Sequence, residues 1–162
     1  MRKTRFITHA AIIAALYVVL TYFINAFNLA SGAIQVRISE AMTVLPFFTP
    51  AAIPGLFIGC TIANIFAGGV IWDVVFGSLA TLIGAAGTYL LRNKKPVLAV
   101  IPPILANTVI VPFVLRCAYG VEGSIPFFML TVGIGEVISC GILGCILLKV
   151  LEKHRDIFNL NQ

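Results

Sequence analysis

Six polar residues stand out because the chain around them is so apolar: Arg37, Glu40, Asn64, Asp73, Asn107 and Glu136. An ionisable group inside a bilayer costs about 2.5–3.5 kcal/mol at the helix centre on insertion scales, so each needs a reason. Three acids, two amides and a guanidinium make a recognition set of hydrogen-bond donors and acceptors. They do not make a reaction centre. Ser39-Glu40 has no base beside it, and neither HExxH, GxSxG nor CxxCH occurs. The absence of a Walker A loop means that the chain cannot hydrolyse ATP by itself. His9 and His154 fall in the flanks, where solvated imidazoles are expected. No catalytic residue, cofactor or metal is therefore expected.

The ligand class follows from the same set. Aromatic residues accompany the polar ones: Phe66, Trp72, Phe76, Tyr119, Phe127 and Phe128. Most read as packing or interface-belt residues, with one or two, Trp72 among them, able to stack on a flat ligand. Carboxylates, amides and an aromatic wall suit a planar heterocycle rich in N–H donors, such as a guanine-like base. An amine on that base would meet the second acid. The competing reading is that Asp73 and Glu136 merely lock helices together, with Arg37, Arg116 or the asparagines as partners.

The elements that must position these residues are transmembrane helices. Of 162 residues, 60% are hydrophobic and 10% charged, and the mean hydropathy is +1.05. A soluble domain needs more charge than this on its surface. Hydrophobic runs cover residues 7–27, 38–48, 51–67, 71–91, 97–117 and 125–151. Residues 38–67 are too long for one ordinary span of about 20 residues and are broken at Pro50 and Pro54. They read as a short helix in and another out, with a single re-entrant or kinked element as the alternative. Pro112 predicts a kink in the fifth run. The expected fold is an all-α membrane protein, one domain over 1–162, with six transmembrane helices.

The net charge of +5 is distributed as topology signals, not as a nucleic-acid surface. Arg2, Lys3 and Arg5 begin the chain, Arg92, Lys94 and Lys95 divide it, and Lys149, Lys153 and Arg155 end it. Six crossings put every cluster in the cytoplasm together with both termini, leaving only Arg37 and Arg116 outside. No cleavable signal peptide is evident, and the first run is long enough to span. No internal repeat speaks for an inverted-repeat carrier. Cys60, Cys140 and Cys145 lie in apolar runs as packing residues, with Cys117 near an outer helix end.

Counting residues along these spans gives depth. Arg37 and Glu40 fall at the outer start of the second run, after an outer loop over 28–37. Asp73 falls near the outer start of the fourth. Asn64 falls in the outer third of its run, and Asn107 and Glu136 near the midplane. The set reads as a pocket open to the outside. Asp73, Gly77, Ala80, Gly84 and Gly87 share one helix face, as do Gly133, Glu136, Cys140 and Gly144. Small residues mark faces turned toward neighbouring helices, so both acids should point into the bundle. In the first run Ala10 pairs with Ala14 and Ala11 with Ala15, two flat faces near the cytoplasmic end. One suits packing within the bundle and the other a second protein. Gly55 with Gly59 reads as internal packing.

Several stretches carry a family resemblance. They are Gln35-Val36-Arg37-Ile38-Ser39-Glu40-Ala41, Leu45-Pro46, residues 50–56, Cys60-Thr61-Ile62-Ala63-Asn64, residues 72–82, Pro102-Pro103 with Asn107, and Gly135-Glu136. Across nearly its whole length the chain resembles the QueT family. These are substrate-binding S components of energy-coupling factor (ECF) transporters that are thought to import queuosine precursors. The resemblance implies a six-span S-component fold and no catalytic activity. It implies as partners a transmembrane coupling protein and two cytoplasmic ATPases. It further implies a 7-deazaguanine substrate (the aminomethyl base, queuine or the nucleoside) held by Arg37, Glu40, Asn64, Asp73, Asn107 and Glu136. An alanine motif on the first helix docks the coupling protein in such components. Here it maps to Ala10/Ala14 or Ala11/Ala15, and the register stays open. The rival readings are an S component for another vitamin such as riboflavin, a standalone membrane carrier, and a small intramembrane enzyme.

Overall fold

The computed structural model describes residues 3–26 and 36–154. Arg2, Arg155 and most of the loop expected over 28–37 lie outside these. Every regular element among the described residues is helical. We number them α1 (Lys3–Ala26), α2 (Ile38–Phe47), α3 (Ala52–Phe66), α4 (Ile71–Leu90), α5 (Pro96–Cys117) and α6 (Ile125–Glu152). Four of the six, α1, α4, α5 and α6, are long and apolar enough to cross a membrane. Large apolar side chains cover the outside, including Ile7, Tyr22, Phe66, Leu90, Leu105 and Leu130. Such a surface is suited to lipid and would drive association in water.

Successive long helices run antiparallel, which gathers charge by end. Lys3, Arg5, Arg92, Lys94, Lys95, Lys149 and Lys153 all belong to one end of the bundle. The opposite end carries Arg116, Asp73 and Glu122.

Close approach explains the order of packing. On α3, a methyl group at Gly55 would come within 2.7 Å of the Ala10 carbonyl, and one at Gly59 within 3.0 Å of the Ala14 carbonyl. Gly55 and Gly59 are thus internal packing residues, as their spacing predicts. On α4, a methyl at Gly84 would lie 2.6 Å from Pro103 Cα, and one at Gly87 2.5 Å from Pro102 Cβ. The small-residue face of α4 is therefore the seat of α5.

The proline-broken stretch is where the structure departs from expectation. The break lies where predicted: α2 ends at Phe47, and α3 starts at Ala52 with Pro54 in its first turn, where proline is tolerated. But α2 is a ten-residue 3₁₀ helix, roughly 20 Å long at about 2 Å per residue. It does not begin at the end of the bundle. The Arg37 N–H donates to Ser139 Oγ at 3.0 Å, and Ser139 is deep in α6. Ser39 Oγ accepts from Thr21 at 2.9 Å. From this mid-depth start α2 runs to the basic end, where Val44 and Phe47 share an apolar cluster with Ala99, Val100 and Leu148. Arg37 and Glu40 are therefore mid-depth residues and not outer-surface ones.

A second departure lies in α6. It changes from α to π geometry at Val137, directly after Glu136, and returns at Gly144. Within this π segment Cys140 Sγ contacts Thr43 Oγ1 at 3.2 Å, and Ser139 takes the Arg37 bond. π segments recur at functional sites, and here the segment receives the start of α2.

Replacing Gly84 by Val should lower the detergent melting temperature by an amount corresponding to about 1–3 kcal/mol, the usual cost of overpacking. A scanning-fluorimetry midpoint equal to wild type would show that α4 and α5 do not meet at this face.

Candidate functional site

Four helices converge on one buried carboxylate. Glu40, near the start of α2, is 2% exposed. Its Oε1 accepts a hydrogen bond from the hydroxyl of Tyr17 on α1. Its Oε2 accepts from Asn107 Nδ2 of α5 at 3.3 Å. Asn107 also sits beside Glu136 of α6. Tyr17, Asn107 and Glu136 are 1%, 4% and 7% exposed. Glu136 Oε2 has no hydrogen-bond partner among the described residues. Such an orphan is rare, because a buried unsatisfied polar atom costs about 1–3 kcal/mol and more when charged.

Arg37, Glu40, Gly77, Thr81, Asn107, Val111, Val132 and Glu136 enclose a cavity of about 20 Å³. This is room for a single water. Glu136 stands eleven residues past Ile125 and Asn107 ten before Cys117, roughly 15–17 Å along their helices at 1.5 Å per residue. The cavity thus lies near the middle of a 30 Å hydrocarbon layer.

A second polar cluster adjoins it toward the Asp73 end. Asn64 of α3 is buried, with its amide nitrogen 3.5 Å from the Asp73 carbonyl oxygen and 3.5 Å from Cys60 Sγ. Asp73 Oδ2 accepts from the Tyr119 hydroxyl at 2.9 Å. Gly77 joins the two clusters. A methyl there would lie 3.2 Å from Asn64 Nδ2 and 3.3 Å from Asp73 Oδ1, and the same glycine lines the cavity. A side chain here would press on both groups, so glycine favours their close approach.

The structure therefore brings Arg37, Glu40, Asn107 and Glu136 together around one cavity and sets Asn64 and Asp73 beside it. Trp72 is elsewhere. It is 58% exposed and stacks on Phe76 with ring centroids 5.9 Å apart. Both line an apolar groove of about 580 Å³ with Val109, Phe113 and Cys117. Neighbouring helix positions differ by about 100°, so Asp73 faces the polar cluster while Trp72 turns outward. Sequence reasoning missed Tyr17 as a polar partner, and it listed Tyr119 only as an aromatic. A tyrosine at helical spacing from the inward-facing Ile13 and Ala14 was the available signal.

The two alanine pairs are resolved by packing. Ala14 is buried and Ala10 partly so, both under α3, whereas Ala11 and Ala15 are exposed. The free flat face is Ala11/Ala15.

With this geometry in view, the chain can be set beside known proteins. Residues 7–153 match the family model described as QueT transporter. The chain belongs to the QueT transporter family. A relative from Lactococcus lactis subsp. cremoris (strain MG1363), the queuosine precursor transporter QueT, is 40% identical over 82 residues. That match covers 50% of this chain and 47% of the relative, about half the length of each. No solved structure matches. QueT is a transporter family and not an enzyme family, and its four membrane-capable helices make this member a multi-pass membrane protein.

Tyr119 lies beyond the end of α5. Its phenol is pushed above its ordinary value, first by partial burial and then by the Asp73 carboxylate it bonds. The difference in alkaline absorbance between wild type and Tyr119→Phe should show a phenol titrating above 10, the usual tyrosine value. Asp73→Asn should bring it down part of the way, since burial remains. A titration unmoved by Asp73→Asn would show that the Asp73–Tyr119 bond does not form.

Proposed function

We propose that this chain is the substrate-binding S component of an ECF-type importer and that it captures a queuosine precursor of the 7-deazaguanine class from outside the cell. The observation that carries the reading is the buried carboxylate pair around one cavity, with Glu136 Oε2 lacking a donor among the described residues. A deazaguanine offers ring and exocyclic N–H donors to such acids and a carbonyl to Asn107 or Arg37. The aminomethyl form adds a cation, which suits three acids facing one arginine. Membership of the QueT family and the name of the Lactococcus relative point the same way.

In this reading Arg37, Glu40, Asn107 and Glu136 hold the ligand, and Asn64 and Asp73 border its entry. Trp72 is left out, because it faces the apolar groove. A cavity of about 20 Å³ is far below the roughly 300 Å³ or more of ordinary ligand sites. Capture therefore entails movement of the surrounding helices. Six crossings with both termini cytoplasmic agree with the single basic end, by the positive-inside rule. The prokaryotic plasma membrane is then its location. The exposed Ala11/Ala15 face, near that end, is the proposed seat of the coupling protein, and two cytoplasmic ATPases supply the hydrolysis that this chain lacks.

Calorimetry with the detergent-purified chain should show binding of at least one of 7-aminomethyl-7-deazaguanine, queuine and its nucleoside. Glu40→Ala should abolish it while the protein still purifies as a folded species. Ala11→Trp or Ala15→Trp should keep binding but lose co-purification of the coupling protein and ATPases from native membranes. Affinity for riboflavin with none for any deazaguanine would overturn the substrate. Import that persists without the partner subunits would overturn the S-component role.

A further inference from the structure

Tyr17 is the largest fully buried side chain among the described residues, and the S-component reading assigns it nothing. A tyrosine used only for packing could be replaced by phenylalanine in this apolar setting, because a buried hydroxyl without a partner is unfavourable. Here the hydroxyl has a specific partner, Glu40 Oε1. The same carboxylate takes Asn107 Nδ2 on its other oxygen. With a donor fixed at each end, the carboxylate plane of Glu40 is set. Asn107 is turned by the same bond, and Asn107 is also the neighbour of Glu136. A chain of contacts thus runs from Tyr17 through Glu40 and Asn107 to Glu136, the acid whose Oε2 lacks a donor among the described residues. Neither Tyr17 nor its backbone lines the cavity, so it acts through Glu40.

We propose that Tyr17 is a positioning residue of the binding site, holding Glu40 so that Asn107 and Glu136 present their polar atoms to the ligand. This rests on the reading of the cavity as a deazaguanine site. Without the Tyr17 hydroxyl, Glu40 Oε1 must find another donor, and the donors that share its cavity, Asn107 and Arg37, are the groups that the ligand needs. A ligand carrying an amine cation depends most on where the carboxylates point. A neutral ligand of the same shape depends on it less.

The test compares wild type, Tyr17→Phe and Thr21→Val in detergent by calorimetry. The probes are 7-aminomethyl-7-deazaguanine, which carries the cation, and 7-cyano-7-deazaguanine, which does not. Thr21→Val removes the neighbouring α1–α2 hydrogen bond to Ser39 without touching Glu40. Tyr17→Phe should weaken the aminomethyl ligand about tenfold or more, as for a hydrogen bond to a charged group, and the cyano ligand by less. Thr21→Val should leave both within about twofold. Equal affinity in Tyr17→Phe and wild type overturns the inference and leaves the proposed function standing. So does an equal loss for both ligands, or the same loss in Thr21→Val, since either marks a packing role. Failure of Tyr17→Phe to fold also overturns it, if Tyr17→His, which retains a ring donor, folds but does not restore the preference for the aminomethyl ligand. A wild type that binds no deazaguanine overturns the proposed function, and the inference with it.

Discussion

Two carboxylates buried near the middle of an apolar bundle impose the constraint from which much of the architecture follows. Removing a charge from water costs several kcal/mol even after relaxation, and the cost is recovered only through good hydrogen bonds. Glu40 meets this demand with a donor on each oxygen, from Tyr17 and Asn107. No single helix could supply both. The carboxylate thereby ties α1, α2 and α5 together, and Asn107 extends the tie to Glu136 on α6. The 3₁₀ form of α2 and the π segment of α6 meet at this level, where Arg37 N–H reaches Ser139 and Thr43 reaches Cys140. Irregular helical geometry is tolerated at membrane depth when buried in protein, and it is buried here: Ser39 through Phe47 are all buried.

Small residues provide the complementary constraint. Lipid gives apolar helices no hydrophobic reason to associate, so they need close van der Waals contact. Gly55 and Gly59 let α3 rest on the backbone of α1, and Gly84 and Gly87 let α5 rest on α4 through Pro102 and Pro103. The polar cluster then lies between helices already held at fixed separation.

The two alanine pairs of α1 show how packing divides equal sequence signals. Ala10 and Ala14 are spent on α3, and Ala11 and Ala15 are left facing outward. Tyr17 lies on the same helix, on its buried side. One helix thus bonds Glu40 through Tyr17 on one side and offers a flat face on the other.

Much of this was legible in the residues. Hydropathy set the helices to within a few residues, because a bilayer admits few other spanning structures. The cost of burying Glu40, Asp73 and Glu136 singled them out, and small-residue spacing gave the inward faces of α4 and α6. What the sequence could not decide was which of these residues meet. The Tyr17–Glu40 bond spans 23 positions and the Asn107–Glu40 bond 67, and a tyrosine in an apolar run carries no local mark of its partner. Depth failed for Arg37 and Glu40 because counting assumed that α2 starts at the end of the bundle. Trp72 was grouped with Asp73 by proximity in the chain, although one helical step separates their directions. The sequence by itself determined an all-helical bundle, its single basic end and its few costly polar residues, since these depend on hydropathy and charge along the chain. Only the tertiary structure decided that four of those residues share one cavity, that Tyr17 bonds Glu40, and that Ala11/Ala15 is the exposed face, since all depend on which helices pack together.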